Sequence, residues 1–148
     1  MYYLIQPYLF YTIMESNSKL YKEQLYSRQI GTLGESCMKQ LSNLHVLIIQ
    51  LDTIGFEAAK CLVLTGIHTL YISDPRIPTA SHIGLNIAIQ KNHTQSIAQQ
   101  TKTYLDTLNP FVTIVVVEEC PLIVQNYPID VCIQTNVDQA LERSSFCH

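Results

Sequence analysis

The chain is 148 residues long, which is enough for one domain with a buried core. Nine Lys and Arg against twelve Asp and Glu leave 14% of it charged and 47% hydrophobic, with a formal net charge of -3. That balance excludes a disordered chain. Without a Lys/Arg cluster, it also excludes a nucleic-acid footprint and a basic membrane-surface patch. Average soluble proteins carry roughly 25% charge, so either the elements are buried on several sides or some apolar surface is to be covered by a partner.

Residues 1–13 contain no charge and four of the nine tyrosines. They lack the basic region and small-residue cleavage site of a secretory signal. Met14 followed by Glu-Ser-Asn-Ser-Lys is a more polar start, so 1–13 is expected to be an apolar extension and 14–148 the domain. From Ser18, Leu20, Leu25, Ile30 and Leu33 interleaved with Lys22, Glu23 and Arg28 predict a helix interrupted at Gly31 and Gly34. A second piece is expected through Met38 and Leu41.

Leu44 to Gln50 is a nearly continuous apolar run, as in a central parallel strand buried on both faces, with His45 expected to make a local hydrogen bond at its end. Such runs are strand-length, far short of the roughly 20 residues that span a bilayer. Thr53 to Leu64 predicts a helix with Ile54, Ala58, Cys61, Leu62 and Thr65 on its apolar face and Gly66 as its stop. Ile67 to Ser73 alternates as a second strand closed by Asp74-Pro75, completing a βαβ unit.

A crossing loop is predicted over 75–89 and a long helix over about 91–108, stopped by Asn109-Pro110. Val112–Val117 and Asp130–Gln134 are a third and a fourth strand, and a helical tail follows over 137–147. The alternation implies an α/β, Rossmann-like, doubly wound and mainly parallel sheet, with ligand chemistry at the carboxyl ends of its strands.

The turn after the first strand is where a dinucleotide or ATP would require Gly-x-Gly-x-x-Gly. It is Gln50-Leu51-Asp52-Thr53-Ile54-Gly55, which keeps only the third glycine, Gly55, the one that lets helix and strand pack closely. Asp52 puts a carboxylate where a helix N-terminus would attract phosphate, and can cap the helix instead. Asp74, about twenty residues on, stands where a ribose-binding acid belongs, or is a plain strand-end turn residue. The five cysteines, Cys37, Cys61, Cys120, Cys132 and Cys147, have no CxxC spacing and signal neither disulfides nor zinc. Reduced, mostly buried thiols are expected, with Cys61 in the core and Cys132 in a buried strand.

Leu25-Tyr-Ser-Arg-Gln-Ile-Gly-Thr-Leu-Gly34 resembles the opening motif of ubiquitin-activating E1 enzymes. The resemblance continues through Met38-Lys39, Val46-Leu-Ile-Ile, Gly55-Phe-Glu-Ala-Ala-Lys60, Leu64-Thr-Gly66, Asp74-Pro75, Leu108-Asn-Pro110 and Phe146-Cys-His148, covering about residues 20–148. It implies a ThiF-like adenylation fold, of which two repeats pack face to face: one binds ATP and the modifier, the other has lost its nucleotide site. The degenerate loop resembles the second, inactive N-terminal half, incomplete at its C-terminus.

An active half would carry Asn-Arg-Gln-Phe followed by a catalytic Lys. Here the matching stretch is Ile83-Gly-Leu-Asn86-Ile-Ala-Ile89, then Gln90-Lys-Asn-His93: Asn86 is kept, no Arg follows it, and His93 stands where a cation is usual. By the same resemblance Arg28 reaches the phosphates of ATP held by the active half, and Asp74 and Gly55 are vestigial cofactor positions. A guanidinium there stabilises charge on the phosphates as pyrophosphate leaves. ATP and Mg are expected mainly on the partner repeat, with ubiquitin or a ubiquitin-like protein as the further partner. No nucleic acid or membrane partner is expected, and the location is cytoplasmic or nuclear. The alternatives are a self-contained nucleotide-binding Rossmann enzyme and a non-functional E1 gene fragment.

Overall fold

The computed structural model describes residues 5–84, 86–90, 94–117 and 127–135, with side chains from residue 19 onward. Backbone contacts divide the chain into two units, Met1–Lys39 and Gln40–His148. In the first, helix α1 runs over Ile5–Leu33, so it is continuous across residues 13 and 14 and begins well before Ser18. Of the two predicted interruptions only Gly34, at φ 83°, ends it; Gly31 lies within the helix. The short helix α2 follows over Glu35–Leu41.

The second unit is built on a four-stranded parallel sheet of order β3-β2-β1-β4, with β1 at His45–Ile49, β2 at Thr69–Ser73, β3 at Thr113–Val116 and β4 at Val131–Gln134. Helices α3 (Thr53–Thr65) and α4 (Ile97–Asp106) make the crossovers. Pairing of His45 with Thr69, and of Val46 with Val131, fixes the register on either side of β1. This is the expected doubly wound arrangement, in which the order of strand addition reverses at β1 and the crevice lies at the strand carboxyl ends.

As the apolar run of β1 required, Val46, Leu47, Ile48 and Ile49 are all buried. Successive side chains point to opposite faces, so the strand feeds two clusters. One joins Val46, Ile48, Leu70, Ile72 and Ile114 to Ala59 and Val63 of α3 and to Ile97 and Leu105 of α4. The other contains Leu47, Ile49, Tyr71 and Val117. β2 alternates in sequence, yet all five of its residues are buried, since Leu70 and Ile72 enter the first cluster and Tyr71 the second, so both faces of the strand are covered.

The buried side of α3 differs from the expected one. Gly55, Phe56, Ala59 and Val63 face inward, while Ile54 is 71% exposed and Cys61 is exposed rather than in the core. The contact at Gly55 sets the rotation. A Cβ on Gly55 would overlap the Gln50 carbonyl oxygen, so the only residue without one must occupy the closest approach of helix to strand. The inward stripe then follows in steps of four residues from 55 to 59 to 63.

Cys132 is likewise exposed, because β4 is the outer strand of the described sheet, and Cys37 is half-buried. The expectation of mostly buried thiols therefore fails among the described cysteines; Cys120 and Cys147 lie outside the described residues. The α4 helix starts later than predicted, at Ile97. Ser96 caps it, accepting from the Gln99 N–H at 3.3 Å while the Gln99 side chain accepts from the Ser96 N–H at 3.1 Å. That capping box is a sequence signal in its own right. The helical tail expected over 137–147 lies outside the described residues.

Candidate functional site

The β1–α3 turn sits at the carboxyl edge of the sheet. Gln50 adopts φ 68°, the left-handed region that the missing glycine would occupy without strain. The tight turn therefore persists without its glycine. The Gln50 N–H donates to the Ser73 carbonyl at 2.8 Å, which extends the β1–β2 ladder into the turn. Asp52, in extended conformation at the N-cap of α3, accepts from the Gly55 N–H at 2.9 Å through Oδ1. The capping role anticipated for Asp52 is met, and its carboxylate takes one of the amides a phosphate would need.

Asp74 follows the end of β2, with its side chain completely buried. Oδ2 accepts from the Leu51 N–H at 2.9 Å, tying the end of β2 to the β1–α3 turn. The Arg76 fork closes on the same carboxylate, Nε to Oδ1 at 2.8 Å and Nη2 to Oδ2 at 2.6 Å, and the Arg76 N–H adds a 3.2 Å bond to Oδ1. The hydrogen bond to Asp74 raises the Arg76 guanidinium above its ordinary pKa, against a smaller opposing effect of burial. Both oxygens of the acid expected at a ribose are thus engaged by the chain itself.

Gly55, Asp52 and Asp74 are brought to this one edge. Arg28 is exposed on α1, in the other unit. Asn86 is buried in the crossing loop, where Oδ1 accepts from the Ala88 N–H at 2.9 Å; His93 lies outside the described residues. At the opposite edge of the sheet the His45 N–H donates to Asp130 Oδ2 at 2.8 Å. The local hydrogen bond expected of His45 is not the one that forms: its main chain pairs with Asp130, 85 residues away, and its Nδ1 is buried with no hydrogen-bond partner among the described residues.

Arg76 was not singled out by the sequence. The signal was present as an Asp-Pro-Arg run at a strand end, in which the intervening Pro75 fixes the backbone between acid and base. The residues of this turn do not fit ATP. A carboxylate caps the helix where phosphates would bind, a side chain occupies the glycine position, and the ribose acid is filled.

Residues 26–142 match the model of the ThiF family. The chain is 30% identical over 138 residues to ubiquitin-activating enzyme E1 1 of Schizosaccharomyces pombe, an alignment covering 92% of this chain and 14% of that protein. It is 34% identical over 111 residues to the NEDD8-activating enzyme E1 regulatory subunit of Danio rerio, covering 72% and 20% respectively. The chain therefore spans a small part of the curated relatives it matches. Among solved structures, E. coli tRNA N6-threonylcarbamoyladenosine dehydratase in complex with ATP shares the fold, with a TM-score of 0.69 at 17% identity over 77% of this chain and 49% of that one. By sequence and by fold, this chain belongs to the ThiF family.

Proposed function

We propose that the chain is the inactive adenylation repeat of an E1 enzyme for a ubiquitin-like modifier, packing on an active repeat that holds ATP and Mg. The observation that carries this reading is the β1–α3 turn, which keeps the fold's tight turn and close helix packing but puts the Gln50 side chain and the Asp52 carboxylate where phosphates would need glycine and free amides. The similarity to E1 enzymes for ubiquitin and NEDD8 supports the class of partner.

In this reading Arg28 acts in trans, supplying a guanidinium to the phosphates of the partner's ATP as the modifier's C-terminal carboxylate is adenylated. Its exposure is compatible with that reach. ATP–pyrophosphate exchange, measured with the active half and modifier present, is expected to fall at least tenfold for Arg28→Ala with the melting temperature unchanged. Equal exchange by the variant removes the role of Arg28. Saturable micromolar ATP binding by the 148-residue chain alone overturns the inactive-repeat reading in favour of a self-contained nucleotide enzyme.

A further inference from the structure

The Asp74–Arg76 pair has three features that an ordinary surface ion pair lacks. The Asp74 side chain is completely buried while that of Arg76 is 45% exposed, so the cation covers the acid from the solvent side. Its geometry is a bidentate fork, with the Leu51 amide supplying a further donor to Oδ2. Its backbone is also pinned: the Ile97 and Ala98 amides at the start of α4 donate to the carbonyls of Arg76 and Asp74 at 2.9 and 3.2 Å. Arg76 is therefore anchored in place from the N-terminus of the next helix.

In a dinucleotide fold the acid at this position accepts hydrogen bonds from ribose hydroxyls. A vicinal diol and a guanidinium edge present the same pattern to a carboxylate, two donors side by side, but the guanidinium adds a full charge and a rigid plane. We propose that Arg76 is an internal occupant of the ribose position, a specificity-determining residue that closes this turn to nucleosides as well as to nucleotides. The inference rests on the inactive-repeat reading and adds to it. Asp52 and Gln50 oppose the phosphates, and Arg76 separately opposes the sugar.

Adenosine separates these effects because it has a ribose and no phosphate. Calorimetric titration of the full 148-residue chain is expected to give no saturable adenosine binding for the wild type. Arg76→Ala is expected to bind adenosine at least tenfold more tightly than the wild-type limit, and Asp74→Asn/Arg76→Ala to lose that gain. Should Arg76→Ala not melt cooperatively, Arg76→Gln takes its place, since it too leaves the Asp74 charge uncancelled.

A folded variant without the gain overturns the inference, as does a gain that survives in the double variant. Loss of folding in both single variants also overturns it, because the arginine is then a core element and not an occupant. Each of these outcomes leaves the inactive-repeat reading standing, which fails only if the wild-type chain itself binds ATP.

Discussion

The two ends of helix α3 meet the same backbone demand with different residues. At its C-terminus Gly66 takes φ 86° and closes the helix, its N–H reaching the Leu62 and Val63 carbonyls. Before its N-terminus Gln50 takes φ 68°, although a side chain in that region costs roughly 1 kcal/mol. At the C-terminal end only the chain has to turn, and glycine is the residue without strain. At the N-terminal end a nucleotide-binding turn would use glycine to admit phosphates, and here Gln50 holds the same left-handed turn with a side chain in place. The lesson is that the left-handed turn the fold needs can be held by a residue other than glycine.

The largest effect expected of a single change in this comparison is at Gly55. Gly55→Ala drives a methyl into the Gln50 carbonyl and must displace α3, at a cost of about 3 kcal/mol by denaturant unfolding. A neutral result would mean that α3 is not fixed by this contact. At the other end Gly66→Ala forces a side chain into the left-handed region and is expected to cost about 1.5 kcal/mol. Asp52→Ala removes the N-cap and is expected to cost about 1 kcal/mol, read as a lowered denaturant midpoint. The smallest effect is a gain: Gln50→Gly relieves the strained residue and is expected to stabilise by about 0.5 kcal/mol, less than the strain itself because glycine also loosens the unfolded chain. If Gln50→Gly destabilises, the glutamine makes a contribution that its backbone geometry does not reveal.

Strand positions were legible because the relevant pattern is local. A run such as Val46-Leu-Ile-Ile49 has few places to go except a strand buried on both faces. Helix ends are legible where a cap residue announces them, as at Gly66 and in the Ser96-x-x-Gln99 box, which marks a later start for α4 than apolar spacing alone predicts. The rotation of α3 was not legible from its apolar spacing. Ile54 and Cys61 are as apolar as Ala59 and Val63, and nothing local distinguishes the two stripes.

In the candidate site the same division holds. Gly55, Asp52 and Asp74 stand out in sequence because the loop they belong to has a known spacing. Arg76 does not, because its role exists only once the acid is buried at the sheet edge and the backbone after it is held by the amides of Ile97 and Ala98.

The sequence by itself determined the alternation of strands and helices, the ThiF-type motif order and the absence of the first two phosphate-loop glycines, all of which depend on residue identity and short-range spacing. Only the tertiary structure decided which face of α3 is buried, that Gln50 keeps the left-handed turn, and that Arg76 fills the carboxylate of Asp74. Those outcomes depend on close approach between segments distant in the chain. A carbonyl against a missing Cβ and a guanidinium over a buried acid have no counterpart in local spacing.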